Sequence, residues 1–262
     1  MNCRICNSHT KNLFREKVLN KYEVNYFQCN NCGYLFAEDP YWLNEAYNSA
    51  INISDTGIIF RNTQFSKICS VILDVYFSRN GKFLDYAGGY GIFTRMMRDI
   101  GFDFYWTDKY CENLLARGFE YEENKNNNFE AVTAFEVFEH FVDPVSEFET
   151  ILKYGKNIIF STELLPNPVP KPVDWWYYGF SHGQHVSFYT RESLSLLGKK
   201  HGLNFYSMKG IHIFTEKKLN ETFLRFLKKA SLVFLFDLMR LRYKSKTFQD
   251  HLLVQEKFKT LP

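Results

Sequence analysis

The sequence predicts an α/β fold with a small appended ribbon, and three observations carry that expectation. Two Cys-x-x-Cys pairs lie near the N-terminus, strand-like and helix-like segments alternate from Lys82 to Thr162, and the first strand of that series runs into a glycine-rich turn, Asp85-Tyr86-Ala87-Gly88-Gly89-Tyr90-Gly91. Such alternation implies a mostly parallel sheet covered by helices on both faces, a Rossmann-like arrangement. Any ligand crevice then lies beyond the carboxyl ends of the strands.

A chain of 262 residues can bury a full-sized core and suits one catalytic domain with an attachment, divided here as a ribbon over 1–40 and a main domain over 41–262. An aromatic content of 18% argues against disorder, and a formal charge of +3 provides no global basic field, so nucleic acid is not demanded as a partner. The N-terminus lacks the pattern of a secretory signal, and the longest apolar run, 230–239, is interrupted by Asp237 and far too short to span a bilayer. A soluble, cytoplasmic protein is expected.

Cys3, Cys6, Cys29 and Cys32 form two tight knuckles, which together supply the four soft ligands of a tetrahedral zinc ion. Four thiolates leave no open position, so the expected zinc is structural and part of the folding energy of a ribbon with little core of its own. Gly33 follows the second knuckle, where a left-handed backbone costs it little. The segment between the knuckles alternates apolar and polar residues and reads as strands.

After an aromatic junction from Ala37 to about Asn48, the spacing of Phe65, Ile68, Cys69, Ile72, Leu73 and Tyr76 predicts a long helix over 58–76. Strands follow at 82–86, 103–107, 129–134 and 157–162, with helices at 92–99, 112–116 and 145–154. The stretch 164–190 is a long loop rich in proline, aromatics and histidine. A helix over 191–201, capped by Thr190, precedes two strands joined around Gly210, an antiparallel hairpin at the sheet edge.

The glycine turn departs from a dinucleotide fingerprint, since Thr94 stands where G-x-G-x-x-G wants its third glycine. Asp85 at the tip of the first strand would also confront a pyrophosphate, whereas a ligand bearing ammonium and sulfonium groups tolerates it. Asp108, at the end of the second strand, suits both hydroxyls of a ribose. Asp85, Gly89, Gly91 and Asp108 therefore describe a nucleoside without phosphates, as in S-adenosylmethionine (SAM).

These residues, with "VTAFEVFEHFVDP" at 132–144 and "HGQHVSFYTRESL" at 182–194, resemble the class I SAM-dependent methyltransferases, in the branch that carries an N-terminal four-cysteine zinc-binding region and often acts on sugars or small metabolites. The resemblance implies SAM contacts from Asp85, Ala87, Gly89, Gly91, Asp108, Phe135 and Tyr47. Ala87 replaces the first glycine of the D-x-G-x-G-x-G motif and is expected to be tolerated if its torsions are right-handed, although it could crowd the methionine moiety. No Asn/Asp-Pro-Pro-Tyr motif follows the fourth strand, so oxygen or carbon acceptors are favoured over amino nitrogens.

Methyl transfer needs an aligned acceptor and removal of its proton. His185, then His182, are the first candidate bases, with Glu139 and His140 after the fourth strand as further catalytic candidates. Trp175, Trp176, Tyr177 and Tyr178 could pave a pocket for a small-molecule acceptor, such as a nucleotide-linked sugar or a glycan precursor. The histidines could instead brace the loop through Glu136 or Glu139. The C-terminal basic amphipathic segment predicts helical packing on the main domain or against a second copy, with peripheral membrane contact as a weaker option. Competing readings are an RNA methyltransferase gripping nucleic acid through its ribbon, and a noncatalytic SAM-binding scaffold.

Overall fold

The computed structural model describes residues 1–48, 55–123 and 128–259. In chain order the elements are β1 (Thr10–Val18), β2 (Tyr22–Cys29), β3 (Leu35–Ala37), α1 (Leu43–Ala46), α2 (Ile58–Tyr76), β4 (Lys82–Tyr86), α3 (Ile92–Ile100), β5 (Asp103–Thr107), β6 (Phe129–Ala134), α4 (Pro144–Leu152), β7 (Ile158–Ser161), β8 (Ser187–Phe188), α5 (Arg191–Lys200), β9 (Asn204–Ser207), β10 (Ile211–Thr215), α6 (Glu221–Ala230), α7 (Phe236–Arg240) and α8 (Thr247–Lys259). A six-stranded sheet has the order β5-β4-β6-β7-β10-β9, and a four-stranded sheet the order β1-β2-β3-β8. The architecture is the Rossmann-like mixed sheet with helices and an N-terminal four-cysteine region that the sequence predicts.

The chain divides into two compact units, one of residues 1–52, 135–153 and 160–218, the other of 53–134, 154–159 and 219–262. This grouping differs from a cut after residue 40, because the ribbon cannot bury its apolar face by itself. β3 pairs antiparallel with β8, Leu35 opposite Phe188. Val18, Val24, Tyr26 and Trp42 share a core with Tyr178, Val186 and Phe188 from the long loop, and the Trp42 indole donates to Gly183 O at 2.8 Å. Antiparallel β9 and β10 complete this unit as the expected edge hairpin, and α5 begins with Thr190 accepting from Ser193 N–H.

In the second unit β4 pairs parallel with β5 and with β6. α2 packs on α3 and buries Ile68, Cys69, Ile72 and Leu73, while Phe65 and Tyr76 at the ends of the predicted stripe are half-buried. The C-terminal segment forms α6 and α7, joined by a π-helical turn at Ser231–Leu235, and both pack on α2 through Leu224, Leu227, Phe236 and Met239. Leu232, Val233, Phe234 and Leu238 on their outer side are exposed.

Two expectations need correction. Residues 112–116 form no helix: the Asn113 side chain accepts from Ala116 N–H and donates to Glu120, holding an irregular turn in its place. Ala87 is left-handed, φ +54°, so the right-handed torsions set as the condition for its easy tolerance are not adopted and it carries the strain of that region. Residues 124–127, part of the stretch 118–128 whose sequence favours neither helix nor strand, lie outside the described residues.

Candidate functional site

The four cysteine sulfurs converge. Cys3 Sγ lies 3.7 Å from Cys32 Sγ, and Cys6 Sγ lies 3.4 Å from Cys29 and 3.6 Å from Cys32. Tetrahedral zinc with sulfur at about 2.3 Å requires S–S edges of about 3.8 Å, so the set fits that ion with small adjustment. Backbone N–H groups of Ile5, Asn31 and Cys32 point at sulfurs, each at 3.4 Å, as thiolates require. Gly33 is left-handed at φ +70°, and a Cβ there would meet Thr190 Cγ2 at 2.8 Å. Thr190 Oγ1 donates to Cys32 O, and Lys200 donates to Ile5 O, so α5 steadies both knuckles.

In the other unit the turn after β4 is shaped by carboxylates. Asp85 is buried, its Oδ2 accepting from Thr94 Oγ1 and its Oδ1 from Thr133 Oγ1, each at 2.9 Å. Burial raises this carboxyl to about 7, with the hydroxyls opposing and the charge of Asp108 adding a little. A Cβ at Gly88 would sit 2.7 Å from Asp85 Oδ2 and from the Trp106 ring, which forces glycine there. Asp108 accepts from Gly89 N–H at 2.9 Å with one oxygen and from Tyr110 and Cys111 N–H with the other. The Trp106 indole donates to Gly89 O at 2.9 Å. Gly91, left-handed at φ +81°, opens α3. Asp85, Ala87, Gly89, Gly91 and Asp108 thus share one braced turn. Thr94, Thr133 and Trp106 complete it and escaped sequence reasoning as functional residues, although Thr94 stood out as the missing third glycine.

The catalytic candidates gather in the first unit. Glu136 turns the chain after β6 with φ +55°, and Ser161 Oγ accepts from its N–H at 2.7 Å and donates to its carboxylate at 2.5 Å. The short turn Phe138–His140 that follows buries Glu139 completely, with the hydroxyls of Tyr177 and Thr162 beside its carboxyl but not well aligned with either oxygen. Burial, with the nearby charge of Glu136, raises its carboxyl to about 8. One ligand atom each from Glu139, His140 and His185 lies within 4.8 Å of the others. His185 Nδ1 donates to Tyr177 O at 2.6 Å and His140 Nδ1 to Gln184 O at 3.1 Å, so both are braced by backbone carbonyls rather than by the glutamates.

His182 packs edge-on against His185, with ring centroids 4.6 Å apart, and its Nδ1 accepts from Gln184 N–H. Burial lowers the imidazoles of His140, His182 and His185 below their ordinary value, His140 to about 4, so all three are neutral at pH 7. Tyr47 reaches His140 Nδ1 at 3.0 Å. Of the pocket candidates, Tyr177 is buried against His185, Tyr178 and Trp175 join the core beneath the ribbon, and Trp176 is 79% exposed. Phe135, half-buried, directly follows β6.

The fold and the acid-flanked glycine turn define a SAM-dependent methyltransferase. A family model described as "Methyltransferase domain" matches residues 60–207, more than half of the chain, and the protein belongs to that family. Solved structures with a similar fold include the plantazolicin methyltransferase BpumL in complex with SAH, at 11% identity and TM-score 0.45, covering 71% of this chain and 80% of that one. Magnesium protoporphyrin IX methyltransferase of Synechocystis PCC 6803 with bound SAH matches at 11% identity and TM-score 0.42, over 66% and 90%. TnmH matches at 14% identity and TM-score 0.44, over 67% of this chain and 60% of its own, so the chain spans less than two thirds of that protein. A search of curated proteins finds no match. Among the described residues, no helix is long and apolar enough to cross a membrane.

Proposed function

We propose that the protein transfers the methyl group of SAM to an oxygen or carbon of a small molecule, a nucleotide-linked sugar or glycan precursor. The observation that carries this reading is the turn in which two carboxylates, Asp85 and Asp108, flank Gly88 and Gly89 at the carboxyl ends of β4 and β5. A diphosphate would be repelled there, whereas a sulfonium ligand gains from the charge. Asp85, Ala87, Gly89, Gly91 and Asp108 hold the nucleoside in this reading, and the four cysteines hold a structural zinc ion.

SAM supplies an electrophilic methyl group whose leaving thioether is neutral, so the protein has only to orient the acceptor and remove its proton. An imidazole of the His182–His185 pair takes that proton, because each is neutral at pH 7 and free of carboxylate pairing. Tyr177 and the tryptophans beside it contact the acceptor. The exposed apolar side of α6 and α7 contacts a second copy, which sedimentation of the full chain would detect as a dimer.

Calorimetric titration with SAM and SAH tests the central claim, with one equivalent bound expected. A folded, zinc-replete protein that binds neither refutes it. Turnover is then sought on nucleotide sugars, where His182→Gln should lower kcat by about 10²–10⁴ if it is the base.

A further inference from the structure

We propose that Glu139, His140 and His185 form a second metal site, one for a catalytic divalent ion distinct from the zinc held by the cysteines. Two independent observations point there. One nitrogen or oxygen from each of the three side chains falls within 4.8 Å of the others, so small side-chain rotations bring them to the roughly 3–4 Å spacing of atoms that share one ion with bonds of about 2.0–2.2 Å. The Glu139 side chain is also completely buried, and the hydroxyls of Tyr177 and Thr162 beside it offer only weak, poorly aligned hydrogen bonds. Without a cation such a buried carboxyl stays protonated, and a divalent ion is the partner that would hold it ionised.

The imidazoles are prepared for the same role. His185 and His140 each direct Nδ1 at a backbone carbonyl, Tyr177 O and Gln184 O. Such a bond fixes the proton on Nδ1 and leaves Nε2 as a lone-pair donor, the arrangement that orients metal-binding histidines. Local sequence assembles half of the site, since Glu139 and His140 are adjacent on one short turn, and the loop returns His185 to it. Ser161 draws the Glu136 carboxylate aside with a 2.5 Å hydrogen bond.

Three protein ligands, two nitrogens and one oxygen, leave positions open, which separates this site from the closed four-sulfur cluster. The donor set suits manganese or zinc better than magnesium or calcium, which favour oxygen throughout. Binding of the ion does not depend on the proposed methyl acceptor. If that reading holds, the open positions take an acceptor hydroxyl or enediol oxygen and lower its pKa, and His182 remains as the imidazole that receives the proton.

The test is a titration of the full-length protein, holding one zinc ion per chain so that only the four-cysteine site is filled, with Mn²⁺, followed by the loss of the free-ion electron paramagnetic resonance signal. Manganese is a poor competitor for thiolates and leaves the cysteine-bound zinc in place. One Mn²⁺ per chain is expected to bind, with affinity reduced at least about 10-fold in Glu139→Gln and in His185→Gln and retained in His182→Gln. SAM binding by the same samples reports on folding and tests the cofactor assignment separately.

A second readout needs no substitution. Mn²⁺ should broaden the imidazole C–H resonances of His140, His182 and His185 in the unsubstituted protein and leave those of His9 and His251 sharp. No Mn²⁺ bound by a folded protein, unchanged affinity in both ligand variants, or broadening confined to His9 or His251 overturns the proposal.

Discussion

Replacing Asp85 by asparagine should stabilise the cofactor-free protein at alkaline pH and leave it unchanged at acid pH. In the unfolded chain this carboxyl ionises near its ordinary value of 3.8, whereas in the folded chain burial raises it to about 7. Between those values the folded state holds a proton that the unfolded state has released, so stability falls as pH rises through the window and levels off above it. The raised value corresponds to about 4 kcal/mol at most, and relaxation around the site makes about 2–4 kcal/mol a working range.

Asparagine carries no charge and fits the same space. Its amide can donate to Thr133 Oγ1, which then donates to Leu84 O, already 3.3 Å away, while Thr94 Oγ1 continues to donate to the amide oxygen. For a chain of this size the gain is on the order of 5–10 °C in Tm. Thermal unfolding of both proteins from pH 5 to 8.5 should therefore show a difference that is already roughly a third of its full size at pH 5, because the window opens near 3.8, and that reaches full size and levels off above pH 7. The acid sensitivity of the zinc cluster is common to both and cancels. A difference independent of pH, or an asparagine variant less stable at pH 8.5, would refute the link between burial of Asp85 and stability. With SAM present the order should reverse, because the variant loses the charge that favours the sulfonium ligand.

Other predictions follow from single contacts. Arg98 and Asp250, both about 97% buried, form a two-pronged ion pair with 2.8 Å bonds that ties α8 to α3, so Asp250→Ala, which strands a buried guanidinium, should cost about 3–5 kcal/mol in urea unfolding. An undiminished unfolding midpoint would show that α8 contributes nothing to the stability of its unit. Gly91→Ala would place a Cβ 2.7 Å from Asn113 Oδ1 at a left-handed residue, and SAM affinity should fall at least about 10-fold as the turn shifts. Wild-type affinity in a titration would separate Gly91 from the cofactor. Chelation of zinc should make Cys3, Cys6, Cys29 and Cys32 reactive toward a thiol reagent and expose buried Trp42, seen as a red shift in fluorescence; four thiols equally reactive before chelation would exclude a thiolate-bound ion.

Segments whose structure is set within a few residues were legible directly. The helical spacing of Ile68, Cys69, Ile72 and Leu73 gave α2 its bounds, Thr190 marked the start of α5, and Gly210 the hairpin of β9 and β10. The helix expected over 112–116 failed because the Asn113 side chain bonds backbone and Glu120, a competition that composition does not reveal. Sequence left the torsions of Ala87 open, and the turn, pinned by Asp108 and Trp106, holds it in a left-handed conformation that alanine does not choose alone.

Sequence by itself determined the pieces whose chemistry is carried by neighbours: the cysteine knuckles, the acidic strand ends and the glycine turn. Tertiary structure decided which distant groups meet. It paired Arg98 with Asp250 across 152 positions, set β3 against β8, and brought His185 to Glu139 and His140. The physical reason is that a buried charge must find a partner, and a ribbon without a core must find cover, wherever the folded chain supplies them. Sequence spacing records those needs but not the residues that meet them.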